Sequence, residues 1–162
     1  MSATTTSGRQ GRLLTLWAPE DKSFWEREGE AIAKLNLWIS VPALFLAFAI
    51  WQVWSVVAVS LPGLGFKYST NQLFWLAAAP ALSGATLRIF YSFMVPLVGG
   101  RRWTAISTAS LLIPALGIGF AVQDNTTAYP TMLILALLCG LGGGNFSSSM
   151  ANISFFFPKE RK

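Results

Sequence analysis

The sequence contains no histidine and only one cysteine, Cys139. Without histidine the chain lacks the commonest general base and metal ligand. Cys139 lies in an apolar run, where a lone thiol is a small packing residue. Charge is scarce as well: Asp, Glu, Lys and Arg make up 12% of the chain against 53% hydrophobic residues, and the mean hydropathy is +0.51. That balance argues against a soluble domain. Six of the seven acids fall at the two ends of the chain, and the seventh, Asp124, falls between apolar runs. No two carboxylates share an apolar segment, no set of residues has metal-ligand character, and no nucleophile has a base beside it. The composition therefore points away from an enzyme, from a metal or other cofactor, and from a carboxylate proton relay.

The sequence does hold long stretches without charge. Residues 35–66, 103–123 and 125–158 have none, and residues 68–100 have only Arg88. Hydrocarbon accepts about 20 apolar residues per helix and few ions, so the pattern predicts an all-α membrane protein with four transmembrane helices. Breakers and flanking aromatics place these helices at about 37–60, 72–97, 103–122 and 130–157. Pro42, Pro80, Pro96 and Pro114 fall inside them or near their ends, which a bundle accepts where neighbours satisfy the freed carbonyls.

Lysine and arginine accumulate in cytoplasmic loops. Ten of the twelve basic residues lie before the first helix, in the second-to-third loop, or after the fourth helix; only Lys67 is on the other side, and Arg88 is within a helix. Both termini are thus expected in the cytoplasm. The net charge of +5 expresses this asymmetry and does not indicate nucleic acid. Residues 1–35 read as a cytoplasmic leader with no cleavable signal. Its first eleven residues, rich in Ser and Thr, are expected to be disordered. Ser23 to Glu26 has the form of a capping box, and Glu30 and Lys34 are four apart, so a short amphipathic helix is expected at about 24–34. Phe24, Trp25, Ala31 and Ile32 fit either a helix resting on the bilayer surface or a solvated leader. Residues 36–158 form the membrane domain and 159–162 a cytoplasmic end.

Arg88 is the chain's most unusual residue. It lies three to four positions past the midpoint of its helix, too deep to reach either headgroup layer easily. An arginine at a helix centre costs about 2.5–3.5 kcal/mol on insertion scales, which pairing or hydration must offset. Its planar fork of donors suits a planar oxyanion, and the alternative is a structural hydrogen bond to backbone carbonyls. In the fourth helix, Gly140 and Gly144 are one turn apart, as are Gly143 and Ser147, which gives a face without bulk. That face serves helix packing or ligand contact. Phe146, a large aromatic among small residues, is placed to project into a cavity.

Residues 81–93 (ALSGATLRIFYSF) and 142–159 (GGGNFSSSMANISFFFPK), with 36–42 (NLWISVP), resemble the nitrate/nitrite porter family of the major facilitator superfamily. Gly99, Gly100, Arg101 and Arg102 resemble a reduced form of that superfamily's cytoplasmic loop motif. The resemblance implies that Arg88 binds nitrate or nitrite, that Phe146 packs on the flat anion, and that transport proceeds by alternating access between two six-helix halves. It also implies an incomplete N-terminal half here, because the glycine-rich signature of a fifth helix and the arginine and aromatic of the second half are absent. The missing helices would then reside in a second polypeptide. The competing classes are a small membrane scaffold that packs through the Gly/Ser face of the fourth helix, and a homo-oligomeric anion pore lined by Arg88. The chain purified alone and placed in liposomes is expected to show no nitrate uptake, which a tracer flux assay checks directly.

Overall fold

A computed structural model describes residues 17–161, together with the backbone of Arg9–Gln10 and Leu13–Leu14. These two short segments, β1 (Arg9–Gln10) and β2 (Leu13–Leu14), form an antiparallel pair with Arg9 opposite Leu14. Most of the stretch expected to be disordered lies outside the described residues. From Lys22 on, every regular element is helical: α1 (Lys22–Phe24), a π turn (Trp25–Gly29), α2 (Glu30–Ser60), a 3-10 turn (Leu61–Leu64), α3 (Thr70–Val98), α4 (Gly100–Ser110), α5 (Leu112–Ala121), α6 (Tyr129–Phe156) and a last 3-10 turn (Lys159–Arg161). Four continuous helical stretches are long and apolar enough to cross a membrane: Lys22–Leu64, Thr70–Val98, Gly100–Ala121 and Tyr129–Phe156.

Local chemistry sets the ends and breaks of these helices. Asp21, and not Ser23, caps the first helix: its carboxylate accepts from the Ser23 backbone N–H at 2.9 Å and the Ser23 hydroxyl at 2.8 Å. Those bonds hold the Asp21 carboxyl below its ordinary pKa. The box anticipated at Ser23 and Glu26 is therefore displaced by two residues, because the carboxylate just upstream competes for the same amides. A full capping box opens α3 instead, where Ser69 Oγ accepts from Gln72 N at 3.3 Å and Gln72 Oε1 accepts from Ser69 N at 2.9 Å. The third span is two helices. Pro114 has no N–H to give to the Ser110 carbonyl four residues earlier, and the helix interrupts at Leu111 between α4 and α5.

Pro80 frees a carbonyl in the same way, and here a side chain takes it. The indole Nε1 of Trp54, fully buried on α2, donates to the Leu76 carbonyl, the one that loses its partner to Pro80. Around this bond lies an apolar core made of Trp54, Leu61, Leu76, Ala79, Met132 and Cys139 with their neighbours. On α2 the buried positions Ala33, Ser40, Ala47 and Trp54 fall seven residues apart, Leu61 continues the series at the same spacing, and Ala58 is buried four residues after Trp54. A seven-residue repeat is the seam of a left-handed helix pair.

α6 is the central helix. Half of its most apolar stretch is buried, against 22% for each of the other three spans, and it touches α2, α3, α4 and α5. Its most extensive contact is with α3, where backbones meet. A Cβ at Gly140 would come within 2.9 Å of the Pro80 carbonyl and 2.7 Å of Gly84 N, and one at Gly84 would sit 3.3 Å from the Gly140 carbonyl. Ser83 Oγ bridges the same contact by donating to the Leu137 carbonyl at 2.8 Å. Gly142 meets α2 instead, against the Ala47 carbonyl.

The leader packs inward. Phe24 and Trp25 are 5% and 7% exposed, so they neither rest on a bilayer surface nor face solvent. The reason is the aromatic end of α6: Trp17 stacks edge-on against Phe24 at 5.5 Å and Phe156 at 5.1 Å, and Trp25 tilts against Phe157 at 5.9 Å. Trp17 Nε1 donates to the Phe155 carbonyl at 3.1 Å, a group that α6 leaves open at its C-terminus, and Glu20 Oε1 accepts from Lys159 N at 3.0 Å, the first amide of the last 3-10 turn. Glu30 pairs with Lys34 at 3.1 Å and Arg161 at 3.4 Å.

Gly140→Ala is expected to destabilise the chain by about 1–3 kcal/mol, the usual range for forcing atoms into a filled contact. Gly119→Ala, where nothing lies within 4 Å of the added carbon, is expected to change stability by less than about 0.5 kcal/mol. Thermal unfolding of both variants in detergent micelles measures the difference.

Candidate functional site

Arg88 sits in the middle turns of α3, on the side facing α2 and α6, and is half-buried. Three helices fix its position. Its Nε donates to the Gly143 carbonyl on α6 at 3.2 Å. Its guanidinium carbon lies 5.9 Å from the ring centre of Trp51 on α2 and 5.8 Å from that of Phe146 on α6. These distances fall within the roughly 6 Å reach of a cation–π contact. Phe48 joins the two aromatics, 5.8 Å from Trp51 and 5.8 Å from Phe146. Among the described residues no carboxylate comes within ion-pair distance of Arg88.

The structural hydrogen bond considered as an alternative for Arg88 is therefore present, but it engages Nε alone. Among the described residues the two terminal nitrogens have no protein partner. A permanently charged group lacking an internal counter-ion, walled by aromatic faces and one backbone carbonyl, is suited to an incoming anion that is small, planar and monovalent. Phe146 is 37% exposed, so this face of the bundle is open.

The other residues singled out in the sequence fall into separate places. Gly140, Gly143 and Gly144 all turn to α3, with a Cβ at Gly144 meeting Leu87 Cβ at 3.0 Å. Ser147 is half-buried on the following turn. Gly99 joins α3 to α4 with φ +88°, a conformation that disfavours any side chain. Gly100 lies against the Asn152 amide, which in turn donates to Asn36 Oδ1 at 3.2 Å. Arg101 and Arg102 are exposed at that same end. The loop residues are thus far along α3 from Arg88 and serve the junction of α2, α4 and α6.

Three features were not drawn from the sequence. Trp51 and Phe48 complete the aromatic wall, and their signal was depth: a tryptophan in the middle of a span departs from the usual preference for the headgroup level. Asn145 is the third. It is 1% exposed, and its Oδ1 accepts from Ser107 Oγ on α4 at 3.0 Å and from Ser148 Oγ at 3.2 Å. This bond fixes α4 behind the turn of α6 that carries Phe146. Away from Arg88, a polar hollow of about 420 Å³ between the α2–α3 and α5–α6 connections is lined by Lys67, Tyr68 and residues 125–129.

Four helical stretches long and apolar enough to cross a membrane, with a half-buried cation held among three of them, describe a multi-pass membrane protein. The comparisons place it further. No family model matches the chain. Over 150 residues, 93% of this chain, it is 57% identical to the nitrate/nitrite transporter NarU of Salmonella typhimurium and 55% identical to NarU of Escherichia coli, covering 32% of each. Over the same number of residues it is 49% identical to the probable nitrate/nitrite antiporter NarK2 of Thermus thermophilus, covering 33% of that protein. These homologues are nitrate/nitrite transporters of the nitrate/nitrite porter family of the major facilitator superfamily, to which the chain is similar over 93% of its own length. It spans about a third of the length of these curated relatives, which are transporters and antiporters and not enzymes.

Asn145→Ala is expected to cost about 1 kcal/mol, the scale of an interhelical polar contact inside a membrane bundle, because Ser107 loses its partner on α6. The thermal unfolding midpoint, compared with that of Ser107→Ala, checks it: the two losses should not add in the double variant.

Proposed function

We propose that this chain is the part of a nitrate/nitrite transporter that holds the anion through Arg88, with Phe146 against the flat face of the ion. The observation that carries the reading is the state of Arg88: one nitrogen is tied to Gly143, and among the described residues two are unengaged by protein and no carboxylate neutralises it. Nitrate and nitrite are planar monoanions whose oxygens match the spacing of a guanidinium fork. The site faces outward and is closed on only one side, so the second side comes from further helices, either continuous with this chain or on a second polypeptide. Transport is then by alternating access, with the anion between the two halves. The basic ends, holding Lys159 and Arg161 with Arg101 and Arg102, lie in the cytoplasm, which the distribution of lysine and arginine supports.

The scaffold reading relied on the Gly/Ser face of α6 as a docking surface. Gly140, Gly143 and Gly144 meet α3 and Gly142 meets α2, so within the bundle that face is already occupied. This favours the transporter reading.

Uptake of labelled nitrate is measured in cells lacking their own porters. The chain is expressed alone, with the segment encoded downstream of it, and with that segment plus Arg88→Ala or Arg88→Lys. Uptake is expected only with the downstream segment and is abolished by Arg88→Ala. Arg88→Lys keeps the charge but loses the fork, and is expected to weaken half-saturation by roughly 10–100-fold, the worth of one hydrogen bond to a charged group. Uptake that survives Arg88→Ala would refute the assignment.

A further inference from the structure

We infer that Trp51 is a positioning residue for Arg88, and that Trp51 and the Gly143 carbonyl together leave only the terminal edge of the guanidinium for an anion. An arginine side chain is long and has many rotamers, so a fork aimed in one direction must be held there. A guanidinium can meet an oxyanion along two edges, one made by Nε and a terminal nitrogen, the other by the two terminal nitrogens. The first edge is used: Nε donates to the Gly143 carbonyl at 3.2 Å. What remains is end-on docking by the two terminal nitrogens.

The plane of the guanidinium is held by the aromatics. Trp51 lies 5.9 Å from its carbon and Phe146 5.8 Å, and these come from different helices, α2 and α6. Phe146 is open on one side, whereas Trp51 is half-buried and seated against the backbone of α6. A Cβ added to Gly143 would stand 3.3 Å from Trp51 Cε2 and 3.3 Å from Gly84 Cα. The missing side chain of Gly143 therefore does two things: it lets its own carbonyl reach Arg88, and it leaves room for the indole beside that bond. Trp51 covers the Arg88–Gly143 hydrogen bond from water, and in a low-dielectric setting such cover strengthens the bond. Phe48, 5.8 Å from both Trp51 and Phe146, keeps the two rings in register.

The proposal is tested on the full chain in lipid nanodiscs with 15N-labelled arginine. The chain has seven arginines, and the Nε–H of Arg88 is identified as the signal lost in Arg88→Lys. In the wild type this proton is expected to exchange slowly with water. Trp51→Leu keeps apolar bulk without an aromatic face, and is expected to speed exchange by about tenfold or more, as a bond weakened by opening to water should. Trp51→Phe restores a face and is expected to return most of the protection. Wild-type exchange in Trp51→Leu would overturn the inference, and so would equal acceleration in Leu and Phe, since then bulk or shape and not the aromatic face would be responsible.

The ligand part rests on the anion reading above and is read separately by titrating nitrate. End-on docking predicts that the terminal nitrogen signals of Arg88 shift while its Nε–H stays protected. A nitrate-induced loss of Nε–H protection would overturn end-on docking. A protected Nε–H with no response to nitrate would refute anion binding by this chain while leaving the role of Trp51 standing.

Discussion

Backbone-to-backbone approach between α3 and α6 is the constraint from which the rest of this bundle follows. Glycines on both helices let carbonyls of one approach within contact distance of the main chain of the other. Lipid supplies no hydrophobic drive for helix association, so close packing and interhelical hydrogen bonds must provide it. Here they coincide: the same contact carries the Ser83 bridge to Leu137 at one level and the Arg88 bond to Gly143 about one and a half turns further on. A wider spacing would leave Arg88 with a carbonyl out of reach. The setting of Arg88 is thus built by the packing of the helices and not added to their surface.

Proline has a related role. Each proline within a helix forfeits a hydrogen bond, and in hydrocarbon that loss has to be made good. Pro80 and Trp54 show one solution, an indole on a neighbouring helix taking the released carbonyl. Pro114 shows the other, a break in the helix itself. The first solution ties α2 to α3 at depth, and together with the seven-residue stripe of α2 it holds Trp51, one turn before Trp54, beside Arg88.

Much of this was legible in the sequence because the membrane penalises charge so strongly. Three charge-free runs and a fourth interrupted only by Arg88 match the four helical stretches long enough to span a membrane, and that solitary arginine marked the candidate site. The glycine positions signalled a close contact, but the residues opposite them were not readable, since periodicity shows a face and not its partner. Trp51 and Phe48 were missed for this reason: on α2 they look like any lipid-facing aromatics until α6 is placed beside them. The leader was misjudged by a similar route. Phe24 and Trp25 have the composition of a surface-lying helix, and only the aromatic end of α6, more than a hundred residues later, gives them a covered place.

The central position of α6 bears on how the bundle is made. It is the last of the four spans to leave the ribosome, yet every other span packs on it. Until it enters the bilayer, the Gly84 notch on α3 has nothing to fill it and Ser107 on α4 lacks the Asn145 amide. The earlier spans therefore lack most of their contacts between helices until α6 arrives. Its late synthesis makes the whole bundle sensitive to faults in a single helix: a substitution that delays or tilts α6 exposes all of its neighbours to quality-control proteases at once.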